Sequence, residues 1–280
     1  MVRYIFIIFI NTIFCLGVES ISLPQNALEI ASANSGIANS KNIGFNFSNI
    51  NNLKNSFNLS SISWYQDVKG GNIEYKWGKT NHHYLSLYNL SADDIDLRYL
   101  TPSDEPIDVF DIHHISMAYG FGKNFNNYQI GTKASINYNQ LYTDESLGYN
   151  IDLGISYKYN DFVSVGFSIN QLGAEKIEGS FINYPLQTGL GLALNLDRLH
   201  SHFHGDIIYN DSLSDEITYR LSSTTKISSL NLITGYSYSN SKSEFSCGLS
   251  FEYRRFEFNY GIAFHQALGT PVIFSLKYHI

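Results

Sequence analysis

The 280-residue chain is long enough for one large β domain or two ordinary ones, and its formal net charge is −7. Only 15% of the residues are charged, whereas soluble domains average roughly 25%, and another 15% are aromatic, nearly all of them Tyr or Phe. The shortage of charge indicates that much of the outer surface does not face water, and the acidic balance without a basic stripe argues against nucleic acid as a partner.

The first 20 residues have the pattern of a secretory signal peptide. Arg3 supplies a positive start, an apolar run extends from Tyr4 to Leu16, and Val18-Glu19-Ser20 offers small residues for cleavage. The alternative, an N-terminal membrane anchor, is less favoured because a transmembrane helix needs roughly 20 apolar residues. Removal of the signal would leave Cys247 as the one cysteine, so no intrachain disulfide is expected.

Residues 21–42 precede the first predicted strand. The stretch 24–42 is rich in Ala, Ser and Asn, which indicates a short helix or a plug-like segment.

From residue 43 to residue 280 the chain alternates apolar and polar residues in runs of about 9 to 12, the length of a tilted strand that crosses a bilayer. In 148–170, two alternating runs flank the turn pair Asn160-Asp161, which predicts a hairpin. About fourteen strands are predicted on this pattern. They lie near 43–50, 57–66, 71–77, 81–88, 112–121, 128–138, 149–159, 163–169, 186–196, 201–210, 216–224, 228–238, 256–264 and 272–280.

Aromatic residues stand at the ends of several runs, as expected for girdles at the two membrane interfaces. These are Tyr128, Tyr138, Tyr149, Tyr157, Tyr159, Phe256 and Phe264. The polar face is rich in Gly, Ser and Asn, which fits a lumen. Because lipid offers the backbone no hydrogen-bond partner, strands that cross it must close into a barrel. We therefore predict an all-β fold, a transmembrane antiparallel β-barrel in the bacterial outer membrane; a soluble sandwich explains only the alternation.

An acidic stretch, 92–111, interrupts the strands and predicts a long loop exposed on one rim. Its partner-binding candidates are Asp93, Asp94, Asp96, Asp104, Glu105 and Asp108. Calcium could use such oxygen ligands, but the central Gly and terminal Glu of an EF-hand are missing, which favours a solvated acidic face or a contact for a basic partner.

Three histidines, His200, His202 and His204, share one face if RLHSHFHG is a strand. Imidazoles at this spacing can bind zinc or copper, but three on one strand rarely converge on one ion, so a polar lumen or rim face is the favoured interpretation. The sequence contains no G-x-S-x-G elbow, no H-E-x-x-H and no phosphate-binding glycine loop. We predict no catalytic residues, no cofactor and no enzymatic activity.

A series of segments resembles, in the same order along the chain, the PorV/PorQ family of outer-membrane barrels, relatives of the FadL-type fatty-acid channels. The similar segments are Ala31 to Ala38, Trp64-Tyr65-Gln66-Asp67, 130–141, 150–160, 165–173, Tyr184-Pro185-Leu186 and 267–280. Asn46-Phe47-Ser48 occupies the place of the family's Asn-Pro-Ala motif without its Pro and Ala. The last segment resembles a closing strand, whose assembly signal would be Phe274, Leu276, Tyr278 and Ile280; the family usually ends on Phe, and Ile280 would weaken recognition by the barrel-assembly machinery.

The resemblance implies a barrel of about fourteen strands with an N-terminal segment tucked into it. Some family members bind the C-terminal domains of secreted proteins and hand them over from a type IX translocon. Secretion of this kind is therefore the leading functional hypothesis, with outer-membrane lipid, secreted cargo and a translocon as partners. Two alternatives stay open: a FadL-like transporter of hydrophobic small molecules, and a passive porin.

Overall fold

The computed structural model describes residues 20–65, 68–97, 106–177, 179–211, 216–265 and 269–280. The predicted signal peptide lies outside these residues except for Ser20. Within them one α-helix is present, α1 (Ala27–Ala31), together with 3₁₀ turns at Ser20–Ser22, Phe47–Asn52 and Asp197–Leu199. In the part of the chain that is described, no helix combines the length and the apolar character needed to cross a membrane.

All other regular structure is β. The strands are β1 (Ser56–Ser63), β2 (Lys69–Gly78), β3 (Asn81–Leu97), β4 (Asp108–Phe125), β5 (Tyr128–Leu141), β6 (Asp144–Lys158), β7 (Val163–Ile177), β8 (Ser180–Asn183), β9 (Leu186–Leu196), β10 (Ser201–Asp211), β11 (Glu216–Ile227), β12 (Leu230–Tyr238), β13 (Ser243–Tyr253), β14 (Phe256–Phe264) and β15 (Val272–His279).

The sheet closes on itself. Every strand pairs antiparallel with its neighbours in sequence, except that the short β8 pairs only with β7, which itself pairs with β6 and β9. The ring is completed where β1 pairs with β15. Without β8, a closed antiparallel barrel of fourteen strands remains, as the alternation predicted.

The two rims of the barrel differ. At one rim, which we call the short-turn rim, consecutive strands are joined by tight connections such as 79–80, 126–127, 228–229 and 254–255. The opposite rim, the long-loop rim, carries the longer connections and the extended ends of β3 to β7. In bacterial barrels the short turns face the periplasm and the longer loops face outward, so we expect the short-turn rim on the periplasmic side.

Apolar side chains cover the outside of the wall. Large residues on the outward faces keep high exposure in the isolated chain, for example Leu190 at 62% and Ile136 at 61%. Water-soluble monomers rarely expose apolar patches beyond a few hundred Å². The continuous outer belt is therefore suited to hydrocarbon, and the polar residues of each strand face the lumen.

The strand predicted near 43–50 does not form. These residues lie inside the lumen, where Phe47–Asn52 makes a 3₁₀ turn, and the wall begins at Ser56 rather than at residue 43. Apolar Phe47 and Ile50 and polar Asn46 and Asn49 are all buried, so the alternation here does not separate a lipid face from a lumen face. The lumen is filled by residues 20–55, which we call the plug.

The acidic stretch 92–111 is not simply a loop. Asp93, Asp94 and Asp96 belong to β3 and Asp108 begins β4, because both strands extend past the rim as a twisted ladder with a bulge between Ala92 and Ile95. The bulge places Asp94 at φ +57°, and its backbone N–H donates to Asp111 Oδ1 at 3.0 Å. Asp104 and Glu105 lie outside the described residues.

Rows of inward glycines make room for the plug. Gly122, Gly131 and Gly154 face one another across β4, β5 and β6, and Gly166 opposes Gly191 across β7 and β9. A Cβ on Gly131 would lie 2.4 Å from the carbonyl oxygen of Phe47, which is too close for any atom pair of this kind. The plug backbone thus packs directly on the wall backbone, an approach that only glycine permits.

Replacing Gly131 by Ala should lower the free energy of unfolding by about 1–3 kcal/mol, because the plug backbone must shift. Denaturant unfolding in detergent micelles would measure this. Gly205→Ala is the control, since a Cβ there meets only Leu221 at the ordinary distance of 3.4 Å. Equal losses in the two variants would contradict the packing role of Gly131.

Candidate functional site: the plugged lumen

Helix α1 is held against the last strands of the wall. Asn26 caps its first turn by accepting from Glu29 N at 3.1 Å. The wall supplies hydrogen-bond partners for backbone groups that have none within the short helix. Ala27 N donates to Ser275 Oγ at 2.9 Å, and Ser246 Oγ donates to the carbonyl of Ala31 at 3.0 Å. Both serines are inward residues of long alternating runs, so the lumen face of the sequence encodes the docking of the helix.

A carboxylate on the wall binds the backbone of the plug. Asp206 of β10 accepts from Gly36 N at 2.6 Å and from Ile37 N at 3.3 Å. Gly36 has φ +112°, a conformation that presents two successive N–H groups to one anion. Next to it, Arg220 of β11 donates to the carbonyl of Asn34 at 3.0 Å and lies 4.9 Å from the centre of the Phe45 ring. We call the pair of hydrogen bonds from Gly36 N and Ile37 N to Asp206 the clamp. The clamp and Arg220 together fix the middle of the plug.

Two fully buried asparagines, Asn46 and Asn49, hold the part of the plug around the 3₁₀ turn by hydrogen bonds. Asn46 caps the 3₁₀ turn by accepting from Ser48 N at 2.9 Å, and its amide nitrogen donates to the carbonyl of Ile155 at 3.2 Å in the wall. Asn49 donates to the carbonyls of Gly36 and Asn42 at 2.7 and 2.9 Å. Asn46, which occupies the place of the family's Asn-Pro-Ala motif, therefore has a structural role, since its side chain connects the plug to the wall.

Glu29 is a carboxylate buried in the plug, with 3% of its surface exposed. It accepts from Gln25 N at 2.7 Å and from Asn26 Nδ2 at 2.8 Å. Burial, with Glu74 of the wall nearby, raises the pKa of Glu29 to about 7, although Lys133 opposes the shift. Lys133 is itself paired with Asp152 at 2.9 Å. The sequence signal was a lone acid in a segment of small residues, and sequence analysis did not single it out.

A cavity of about 50 Å³ lies between the plug and the wall, which is room for about three or four water molecules. Apolar Leu23, Ile43 and Phe47 line it together with polar residues. Among the described residues, the side-chain oxygens of Asn137 and Asn170 border it without a protein hydrogen-bond partner. We therefore expect water in this cavity, and a second cavity of about 30 Å³ lies between the plug and the wall near Lys76 and Lys277.

On the outside, an apolar groove of about 370 Å³ lies opposite the plug. Its two walls are outward rows that run across the strands, one formed by Phe121, Thr132, Leu153 and Ile169, the other containing Ile130, Ile155 and Phe167. The floor includes the backbone of Gly131 and Gly154, whose inner side touches the plug. At this place a single layer of backbone separates the bilayer side from the plug.

The three histidines that were a weak metal candidate, beside the favoured interpretation as a polar face, are not brought together. His202 and His204 point to the lumen side of β10, whereas His200 lies in the preceding turn with φ +48°. The turn breaks the strand that the three were predicted to share. In the described residues no three His, Cys, Asp or Glu side chains come together as a metal site.

The predicted interface aromatics all lie on the outer surface. Tyr128 and Tyr157 contact each other near the short-turn rim, with ring centroids 4.7 Å apart, and Phe245 and Phe264 stack at 6.1 Å near the opposite rim. Tyr159 and Phe256 lie at the short-turn rim, and Tyr138 and Tyr149 lie further toward the long-loop rim. Their depth in a membrane stays a prediction.

The C-terminal strand presents its predicted assembly residues on one outer face, which is Phe274, Leu276, Tyr278 and Ile280. The acidic residues Asp93, Asp96 and Asp108 lie on the extended ladder of β3 and β4. Their roles in assembly and in partner binding stay predictions.

The closed, plugged barrel is similar to solved transport proteins. The toluene transporter TodX of Pseudomonas putida has a TM-score of 0.71 at 12% identity, over 91% of this chain and 98% of that one. The toluene transporter TbuX of Ralstonia pickettii gives 0.66 at 8% identity, over 91% and 98%. A FadL homologue of Pseudomonas aeruginosa gives 0.59 at 10% identity, over 92% and 99%.

No family model matches the sequence, and no curated protein matches it either. At such low identities the similarity establishes the fold, which is that of FadL-like outer-membrane β-barrels. The finer resemblance to PorV/PorQ stays a prediction.

Asp206→Asn should loosen the clamp on the plug, because hydrogen bonds to a charged acceptor contribute about 1.5–3 kcal/mol. We expect faster hydrogen exchange at the amides of Gly36 and Ile37, measured by mass spectrometry of the folded protein. Asp161→Asn is the control: its carboxylate lies at the surface and pairs with Lys158 at 2.9 Å. Unchanged exchange at both amides would show that the clamp does not hold the plug.

Docking of the plug should weaken as pH rises. Since the pKa of Glu29 is raised from 4.5 to about 7, the folded state holds a proton that the free segment has lost. Stability is therefore highest below about pH 4.5 and falls as the pH rises to about 7, with the full loss present above that value. Glu29→Gln should remove this dependence. Protease cleavage of the plug, followed from pH 4.5 to 8 in both proteins, tests it; identical profiles would contradict the assignment.

Proposed function

We propose that this protein is an outer-membrane channel for small hydrophobic molecules, closed in the described state by its own plug. The observation that carries the proposal is the plugged lumen: residues 20–55 fill a fourteen-strand barrel, and the cavities beside them measure only about 50 and 30 Å³. Benzene occupies an engineered cavity of about 150 Å³, so even one aromatic ring needs a displaced plug. The similarity in fold to two toluene transporters and a FadL homologue supports this reading.

The plug is attached in a way that is compatible with displacement. Hydrogen bonds such as those of Asp206, Asn46 and Ser275 make part of its contact with the wall, and water can replace them. Three small apolar clusters make the rest, for example Ile37 and Phe45 of the plug with Ile208 of the wall. The mixed lining, with Leu23, Ile43 and Phe47 beside amides, gives an apolar solute surfaces to contact once the space is larger.

The outer groove gives hydrophobic solutes a second surface. It is apolar, and it faces the bilayer where the wall is thinnest in front of the plug. A solute dissolved in the membrane would partition there without entering water.

The other two hypotheses have less support. A passive porin needs an open polar channel, and the described lumen is filled. The secretion hypothesis rested on the PorV/PorQ resemblance, and none of the similar structures named above is a secretion protein. It stays a prediction, with the acidic ladder as its candidate surface.

The plug can be locked to test the proposal. Ser35 of the plug and Ser222 of β11 have their hydroxyl oxygens 2.5 Å apart, so Ser35→Cys with Ser222→Cys should form a disulfide in a Cys247→Ser background. In intact cells that carry the protein in their outer membrane, we expect uptake of radiolabelled toluene with the reduced protein, and a loss of at least tenfold after oxidation. The control joins two wall strands through Ser201→Cys and Thr225→Cys, whose oxygens are 3.0 Å apart.

Uptake that is unaffected by the plug lock would mean that the plug does not close the path. Uptake of toluene or a fatty acid by cells with the wild-type protein that does not exceed uptake by cells without it would overturn the proposed function.

A further inference from the structure

The short-turn rim carries a basic residue at every hairpin. The six hairpins on this side place the following cations in or beside their turns: Lys79, Lys123, Lys158, Arg198, Lys226, Arg254 and Arg255. Lys54 adds a further cation just before β1, and Lys41 of the plug is exposed on the same side. The protein as a whole is acidic, with a net charge of −7, so composition alone does not explain this ring.

The opposite rim has the reverse charge. The described acidic residues at or near the long-loop ends of the strands are Asp93, Asp94, Asp96, Asp108, Asp111, Asp144, Glu145, Asp211, Glu216 and Glu244. Only Lys69, Lys176 and Lys242 accompany them among the described residues there. Charge is therefore separated along the barrel axis, positive at the periplasmic end and negative at the outer end.

The basic ring is only partly neutralised within the protein. Lys158 pairs with Asp161 at 2.9 Å, and Lys41 lies 3.9 Å from Glu252. The sequence of the β9–β10 turn also contains Asp197. Within the described chain, Lys79 and Lys226 form no ion pair and are exposed, so their charges are available to a ligand.

Three of the cations, Lys123, Arg254 and Arg255, contact aromatic side chains on the outer face of the rim. Lys123 Nζ is 4.9 Å from the centre of the Phe125 ring, and Arg254 lies 5.3 Å from that of Tyr253. Arg255 donates to the hydroxyl of Tyr278 at 3.4 Å. Aromatic rings of this kind are enriched where hydrocarbon meets headgroups. Side chains stacked on them sit at the level of lipid phosphates.

We propose that the short-turn rim binds the phosphate groups of anionic phospholipids in the periplasmic leaflet. Guanidinium and ammonium groups donate to phosphate oxygens, and the spacing of one cation per hairpin distributes them around the whole circumference. The ring would fix the depth of the barrel in the leaflet. This surface is independent of the proposed transport function, because it lies outside the lumen and the plug.

Binding of a defined lipid to the purified full barrel tests the proposal. Native mass spectrometry would compare phosphatidylglycerol with phosphatidylcholine on the wild type, on Lys79→Gln with Lys123→Gln and Lys226→Gln, and on a control. The control carries the same number of changes at the other rim, Lys69→Gln, Lys176→Gln and Lys242→Gln. Resistance of the folded form to heat in electrophoresis shows that each variant retains its barrel.

We expect the wild type and the control to prefer phosphatidylglycerol. Each removed cation at the short-turn rim should weaken that preference by about fivefold at low salt, and added salt should reduce it further. Equal binding of the two lipids by the wild type overturns the proposal, as does an unchanged preference in the short-turn variant. An equal loss in both variants also overturns it, since the effect would then reflect net charge alone.

Discussion

Hydrogen bonding of the backbone in a medium without water is the constraint from which the rest of this structure follows. Each unpaired N–H or C=O in hydrocarbon costs several kcal/mol, so a sheet can cross a membrane only if it has no edge. Pairing of β1 with β15 removes the last edge, and pairing of β7 with both β6 and β9 keeps the ring continuous past the short β8. Once the ring is closed, each strand has one face toward lipid and one toward the lumen, and alternation of residue type is the result.

A closed ring of fourteen strands creates a second problem, which is the space inside it. In this protein the chain itself fills that space, and two kinds of wall residue make the fit. Glycines such as Gly131 and Gly154 let the plug backbone approach the wall backbone, while Asp206, Ser246 and Ser275 satisfy the backbone groups of the plug. The result is a mixed junction, in which satisfied polar groups alternate with small apolar clusters shared by the plug and the wall.

Much of the wall could be predicted from sequence because its signal is local and repeated. Period-two alternation located the strands, and the length of the runs with the shortage of charge indicated the membrane. The strand predicted for 43–50 was wrong because apolar and polar residues are both buried in the lumen there. The alternating pattern of this segment ends in the 3₁₀ turn Phe47–Asn52 instead of a strand. The loop predicted for 92–111 was also wrong in part, because acidic residues there belong to β3 and β4 where these strands extend past the rim.

The plug contacts were beyond sequence reasoning for a different reason. Asp206 and Gly36 are 170 positions apart, and nothing local marks them as partners. The sequence showed that the lumen face is rich in glycine, but it did not show that the plug backbone packs against these glycines. Glu29 was visible only as one acid among small residues, and its environment is set by Glu74 and Lys133 from distant strands.

The seam between the first and last strands has a consequence for how the protein folds. The ring cannot close until residues near 56 meet residues near 279, so the strand pairing that completes the barrel is also the one with the longest sequence separation. Helix α1 docks on β13 to β15, which are the last strands to be made. The plug is therefore synthesised first but cannot take its site until the strands that close the wall are present.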